Sequence, residues 1–406
     1  MSKKTMAAIV VLLIFCGVIV VVGGKKLEQA ITHHPVAKKS PPPKSRVTPS
    51  PQTTHPPPKA GFSIRVAGNR LIDGRGRTVQ LRGVNRTGAE FGCTKGDDRG
   101  RLTPFVGPTD AASVAAIKAW HANAVRIPLN ETCWLGINGV ALAVSGATYR
   151  NIIVNYVRRL NAAGIYVILD LHWNAPDGLR AVAQQAMADA DHSPAFWASV
   201  ATTFKAYPAL IFDLYNEPYV APWNADTTDK WRCWLNGCIE NRYSLKSMVP
   251  DPGTPWMTSG MQSLVTAVRR AGGRQPLMLG GEAVSSDLTG LLAHLPNDPL
   301  HQLIASAHIY DNGSCNSQGC WSGTLAPIAR RIPVATGEMG EYDCNHGFID
   351  RYMGWADSIG VSYLAWSWLP GTNSATCRVV AGLITDWNGT PTPYGAGLRA
   401  HLISRG

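Results

Sequence analysis

The chain has 406 residues, 45% of them hydrophobic, which is enough to bury a large single core and excludes a chain disordered throughout. Its net charge of +11 first suggests an acidic partner, but the first 60 residues hold nine Lys/Arg and one acidic residue, leaving 29 basic against 26 acidic groups beyond them. That residual bias is too weak to argue for nucleic acid binding.

In chain order, the first feature is Met6 to Val22, an almost unbroken apolar run flanked by Lys3 and Lys4 and by Lys25 and Lys26. It is just long enough to span a bilayer. No small-residue cleavage pattern follows it, so residues 1–24 read as a signal anchor, with a cleaved signal peptide as the alternative. The flanking lysines point the other way under the positive-inside rule. The cysteines decide for export: besides Cys16 in the apolar run there are eight, Cys93, Cys133, Cys233, Cys238, Cys315, Cys320, Cys344 and Cys377. An even count behind an export segment reads as disulfides, with sequence-near pairing expected. Neither C-x4-C unit has the tight spacing of a zinc knuckle, and no metal or other cofactor is expected. The expected location is the extracellular face of the cell membrane, or the medium if the segment is cleaved.

Residues 25–60 are rich in Pro, Lys, Ser and Thr and hold few large apolar side chains, so they form a linker that cannot bury a core. From 61 to 406 the chain reads as one catalytic domain. A hairpin around Gly-Asn and Asp-Gly turns comes first. Eight strand-like runs follow, at Leu81 to Asn85, Ala124 to Leu129, Tyr166 to Trp173, Leu210 to Pro218, Pro276 to Ala283, Leu303 to Tyr310, Pro333 to Gly340 and Ser362 to Trp368. Runs with helical periodicity lie between them. Alternation of this kind without a Gly-rich phosphate loop predicts an α/β protein of (β/α)8 TIM-barrel class rather than an open doubly wound sheet.

In such a barrel the chemistry sits at the C-terminal ends of the strands. Two glutamates stand there 121 residues apart, Glu217 at the end of the fourth run and Glu338 at the end of the seventh. Two carboxyls with opposed pKa values suit glycosidic bond cleavage, one arriving protonated and one ionised. The rival readings are a helix cap for Glu217 and a surface ion pair for Glu338. Other polar and aromatic residues at the strand ends include Asn85, Arg126, His172, Trp173, Asn216, Glu282, His308, Tyr310, Trp366 and Trp368.

The segments Arg-Gly-Val-Asn at 82–85, Val-Arg-Ile-Pro at 125–128, Leu-His-Trp at 171–173, Asn-Glu-Pro at 216–218, His-Ile-Tyr at 308–310, Gly-Glu at 337–338 and Ala-Trp-Ser-Trp at 365–368 together resemble glycoside hydrolase family 5, the cellulase family of clan A. The resemblance runs from about Phe62 to the C-terminus. It implies a retaining endo-glycosidase, with Glu217 as acid/base and Glu338 as nucleophile, their carboxyls about 5 to 5.5 Å apart. It also implies that Asn216 bonds the sugar 2-hydroxyl, that Arg126 and Tyr310 orient Glu338, and that His172 and His308 line the mouth. Trp366, Trp173 and Trp368 are implied to bind substrate through apolar sugar faces. The long connection after the fourth strand carries Trp223, Trp231, Trp234 and Trp256 and reads as a substrate wall. That connection and residues 179–196 match no single polysaccharide. The expected activity is hydrolysis of β-1,4-linked glucan by a monomer. The alternatives are the same chemistry on mannan or another β-glycan, and a non-catalytic cell-surface glycan-binding barrel.

Overall fold

The computed structural model describes residues 61–220, 230–243, 250–370 and 381–406. The apolar run at 6–22 and the linker at 25–60 lie outside these residues. Among the described residues no helix is long and apolar enough to cross a membrane.

A hairpin of β1 (Arg65–Ala67) and β2 (Arg70–Ile72) pairs with a short third strand, β3 (Thr78–Val79), which the sequence did not suggest. The expected barrel follows. Strands β4 (Arg82–Asn85), β5 (Ala124–Asn130), β6 (Tyr166–Trp173) and β7 (Leu210–Asp213) come first. An antiparallel pair, β8 (Ile239–Tyr243) and β9 (Pro250–Met257), then stands apart. The barrel resumes with β10 (Leu277–Gly280), β11 (Leu303–Tyr310), β12 (Val334–Gly340) and β13 (Ser362–Ala365). The eight barrel strands pair in parallel in chain order, and β7 with β10 and β13 with β4 complete the ring.

Both faces of each strand are buried, which is why the runs are near-continuously apolar. On β6, Val167, Leu169 and Leu171 face outward to the helix layer, while Tyr166 and Ile168 face inward. Helices supply matching stripes, such as Tyr149, Ile153, Tyr156, Val157 and Leu160 on the helix Ala147–Ala162. Inside, Leu81, Ile168, Ile211, Met278, Ile304 and Leu364 meet Ile64, Val66 and Leu71 from the N-terminal sheet, which plugs the N-terminal end of the barrel. Period-two alternation then places polar residues one and two layers higher: Asp170 and His172 follow Ile168, Arg126 follows Ala124, and Ser306 and His308 follow Ile304.

Strict alternation would aim Glu338 outward. Ala335 faces the interior core, and Thr336 bonds Tyr352 of the outer helix Gly347–Ile359. The β11–β12 register slips between Ala307 and His308, so that Thr336 pairs with Ala307 but Glu338 pairs with His308. This bulge inserts Gly337 and turns Glu338 back into the barrel. Glycine suits that position, because a Cβ would stand 2.9 Å from Ser306 Oγ and 3.0 Å from His308 Nε2 and both side chains would have to shift.

Three expected strands are shorter than their sequence runs. β7 stops at Asp213, leaving Asn216, Glu217 and Pro218 off the ladder; β10 stops at Gly280, and β13 at Ala365. Cysteines pair as sequence neighbours, Cys93–Cys133, Cys233–Cys238 and Cys315–Cys320. Cys344 is also disulfide-bonded, and Cys377 lies outside the described residues. The aromatic wall is corrected: Trp231, Trp234 and Trp256 are buried, and Trp234 Nε1 donates to the Gly280 carbonyl at 2.8 Å. They pack the long connection onto the barrel, while Trp223 lies outside the described residues.

Gly337→Ala should therefore fold at a cost of about 1–3 kcal/mol, as overpacking does, and lose activity out of proportion to that cost because His308 must move. Thermal unfolding and initial rates on one sample test this; wild-type activity would show that the bulge tolerates a side chain.

Candidate active site

At the C-terminal mouth, the fully buried Arg126 of β5 makes four hydrogen bonds and a further ion pair through its guanidinium. Nε donates to Asp213 Oδ2 at 2.9 Å. Nη1 donates to Asn85 Oδ1 at 3.0 Å and Glu338 Oε1 at 2.9 Å. Nη2 donates to Asn216 Oδ1 at 2.8 Å and lies 3.0 Å from Asp170 Oδ2. Four barrel strands and the segment after β7 thus converge on one rigid fork.

Burial alone would lower the Arg126 pKa, but Asp170, Asp213 and Glu338 more than reverse that and hold it above the usual value. Each acid receives only a share of this one charge. Burial consequently pushes Asp170 up to about 7 and Asp213 up to about 6 despite the pull of Arg126.

Glu338 takes a second strong donor on its other oxygen, the Tyr310 hydroxyl at 2.7 Å. Its side chain is 5% exposed, whereas that of Glu217 is 25% exposed and opens to the cleft. His308 Nδ1 stands between them, 2.9 Å from Glu217 Oε1 and 3.6 Å from Glu338 Oε2. One oxygen of each glutamate and the imidazole nitrogen lie within 4.8 Å of one another. Burial raises the pKa of Glu217, opposed by the weaker pulls of His172, Arg126 and Gln184. His172 and His308 are both pushed down to about 4, chiefly by burial, so at neutral pH both are uncharged rings. One carboxyl that favours its proton thus stands beside another that accepts from a guanidinium and a phenol, an asymmetry that suits paired acid and nucleophile chemistry.

These groups line a cleft of about 560 Å³ whose walls also carry Gln184, Val284, Ser286, Asn312, Ser314, Tyr342 and Trp366. Trp366, partly exposed, lies parallel to His172 with ring centroids 5.4 Å apart and planes 7° apart. Gln184 holds the Asn216–Glu217 segment: its Nε2 donates to the Glu217 carbonyl at 2.7 Å, and its Oε1 accepts from Asn216 Nδ2 at 2.5 Å. Tyr342 stacks on Tyr310 at 5.6 Å.

The sequence-predicted residues Arg126, His172, Asn216, Glu217, His308, Tyr310, Glu338 and Trp366 therefore meet at one site. Two others do not. Trp368 is fully buried, packed edge-on against Trp120 at 4.8 Å, because the chain leaves the ladder after Ala365 and alternation no longer aims it at the mouth. Trp173 has Lys95 Nζ over its ring at 4.7 Å and Phe91 beside it at 6.4 Å, and it lines no part of the cleft. Asp170 and Asp213 were missed, although an acid inside an otherwise apolar strand run was the available signal. Nothing in the sequence marked Gln184 or Tyr342.

A second set of possible metal-ligating groups, Glu131, Asp189 and His192, lies outside the cleft lining. Its acids are already bonded internally through Ser193 Oγ, 2.6 Å from Glu131 Oε2 and 3.1 Å from Asp189 Oδ2.

A closed parallel barrel with two convergent carboxyls at its mouth is the architecture of a glycoside hydrolase. The family model for cellulase (glycosyl hydrolase family 5) matches residues 72–372. The fold is similar to that of a β-glucanase from Saccharophagus degradans in complex with cellotetraose, with TM-score 0.62 and 18% identity, covering 88% of this chain and 98% of that one. It is similar to the catalytic domain of the major endoglucanase of Xanthomonas campestris pv. campestris, with TM-score 0.58 and 18% identity, covering 84% and 99%. A β-mannanase from Streptomyces thermolilacinus with mannohexaose matches with TM-score 0.57 and 19% identity, covering 85% and 96%. The chain belongs to the cellulase family, glycosyl hydrolase family 5, and is a glycosyl hydrolase.

Arg126→Lys should fold but with a lowered Tm and activity reduced by roughly 10²-fold or more, because a point charge cannot replace the five-donor fork. Arg126→Met should destabilise by about 3–5 kcal/mol by leaving buried carboxylates without their cation. Chemical denaturation and rate assays read both; a fully active lysine variant would contradict the hub.

Proposed function

We propose that the protein is a retaining endo-glycosidase that cleaves β-1,4-linked glucan by double displacement. The observation that carries this reading is the close approach of the two glutamates, an oxygen of each within 4.8 Å. Retaining enzymes keep their carboxyls about 5–5.5 Å apart, whereas inverting ones leave roughly 6.5–9.5 Å for a water.

In the first step an oxygen of Glu338 attacks the anomeric carbon as Glu217 delivers its proton to the departing oxygen. The bond from that carbon to the leaving oxygen breaks, and an ester to Glu338 forms. In the second step Glu217, now a carboxylate, takes a proton from water, whose oxygen attacks the same carbon and releases Glu338. The neutral ring of His308 suits this alternation, since it bonds Glu217 in either state without adding a fixed positive charge. Asn216 spends its carbonyl on Arg126 and one amide hydrogen on Gln184, leaving its other hydrogen for the 2-hydroxyl of the attacked sugar, a contact that strengthens toward the transition state. Trp366, braced by His172, offers an aromatic platform for that sugar.

Glucan is favoured because a β-glucanase bound to cellotetraose and an endoglucanase stand among the similar structures; the mannanase keeps mannan as the second reading. Disulfides and the apolar run support a protein outside the cytoplasm. Residues 1–24 would act as anchor or cleaved signal, 25–60 as spacer and 61–406 as a catalytic domain whose constellation comes from a single chain.

Release of reducing ends from β-glucan, mannan, xylan and xyloglucan tests the substrate, with β-glucan expected fastest; silence on all four would favour a non-catalytic glycan binder. Glu338→Ala should abolish turnover while retaining oligosaccharide binding, and continued hydrolysis would remove Glu338 from its role. Because burial raises Glu217, activity should persist above the ordinary carboxylate range and fall as pH rises through its pKa. Glu217→Gln should remove that alkaline limb and cost roughly 10²–10⁴-fold.

A further inference from the structure

Beyond β10 the chain makes a turn, Glu282–Ser285, that breaks a steric rule three times in succession. Ala283 has φ 54° and ψ 58°, Val284 φ 53° and ψ 48°, and Ser285 φ 59°. Left-handed backbone is costly for each L-residue and a genuine outlier for a β-branched one. Such an arrangement persists only where its surroundings over-determine it. Here Glu282 accepts from Val220 N at 2.6 Å and pairs with Lys230 at 3.1 Å, and Lys230 also reaches Asp287 at 2.6 Å.

The strained turn grips the segment that carries the proton donor. Val284 N donates to the Pro218 carbonyl at 3.0 Å, and Ser285 Oγ donates to the Asn216 carbonyl at 2.9 Å. With Gln184 on the Glu217 carbonyl, three successive carbonyls each have their own donor. The same twist leaves the Val284 side chain on the cleft wall, 45% exposed.

Which part of the cleft it serves follows from the order of strands. Glu217 follows the fourth barrel strand and Glu338 ends the seventh, so a line between them divides the rim into two arcs. Trp366 after the eighth strand and His172 on the third lie on one arc, with the attacked sugar. Val284 after the fifth strand, and Asn312 and Ser314 after the sixth, lie on the other.

We propose that Val284 is a specificity-determining contact for the departing sugar, packing against its apolar face while the turn that strains Val284 fixes the adjacent proton donor. This rests on the glycosidase reading above. A glycan chain crossing between the two glutamates must lay its leaving-group unit along the second arc, and among the described residues that line the cleft Val284 is the exposed aliphatic side chain there.

The test compares two substrates with the same attacked disaccharide, cellotetraose and β-cellobiosyl fluoride, whose leaving group fills no sugar subsite; mannotetraose and β-mannobiosyl fluoride form the parallel pair if mannan is preferred. In Val284→Gly, which removes the side chain and that residue's share of the strain, the ratio of kcat/KM on the tetraose to that on the fluoride should fall about tenfold, the worth of a buried valine side chain. Tm should be no lower than wild type. Val284→Thr, which keeps the shape and loses the apolar character, should lower the ratio in the same direction. Because fluoride departs without a proton, a role only in fixing the proton donor would lower the ratio in Val284→Gly but not in Val284→Thr, which keeps the branched side chain and the turn; an unchanged ratio in Val284→Thr therefore overturns the proposal. A wild type inert toward both pairs would instead overturn the glycosidase reading on which it rests.

Discussion

The four hydrogen bonds of Arg126, with its ion pair to Asp170, are the constraint on which the mouth of this barrel depends. A guanidinium taken wholly out of water is costly unless every N–H finds an acceptor and its charge finds an opposite one. Asp170 and Asp213 supply buried charge, Asn85 and Asn216 supply neutral acceptors, and Glu338 completes the set. The fork is planar and rigid, so satisfying it fixes the ends of β4, β6, β7 and β12 relative to one another. Glu338 is thus positioned by the needs of a buried cation, and the same contacts leave it where an attacking oxygen is useful.

The departures from regular barrel geometry gather around that hub. The bulge at Gly337 re-aims Glu338, the chain leaves the ladder before Asn216 and Glu217, and the left-handed turn at 283–285 clamps their carbonyls. Each breaks a local rule that the rest of the barrel obeys. Such violations concentrate at functional sites, where neighbouring structure supports them. The plugged N-terminal end, by contrast, is filled by one apolar cluster that holds the strands together.

What could be read in the sequence follows the same division. The eight strands were legible because parallel strands buried on both faces are written as runs of Val, Ile and Leu, and the glutamates because each closes such a run. Where alternation held, side-chain direction was legible too, as for Arg126 and His172. Where the chain left the ladder it was not: Trp366 and Trp368 sit two residues apart and look alike in sequence, yet one lines the cleft and the other packs on Trp120. Trp231, Trp234 and Trp256 offered no period to distinguish packing from a substrate wall. Gln184 and Val284 were invisible because their roles come from long-range backbone contacts, which no local pattern records.

The proposed double displacement needs two carboxyls close enough for one to attack the sugar directly rather than through a water. The configuration of the first product tests that most directly. Proton NMR of cellotetraose hydrolysis, followed before mutarotation, should show the β-anomer accumulating first. Initial appearance of the α-anomer would mean that water, and not Glu338, attacks the anomeric carbon.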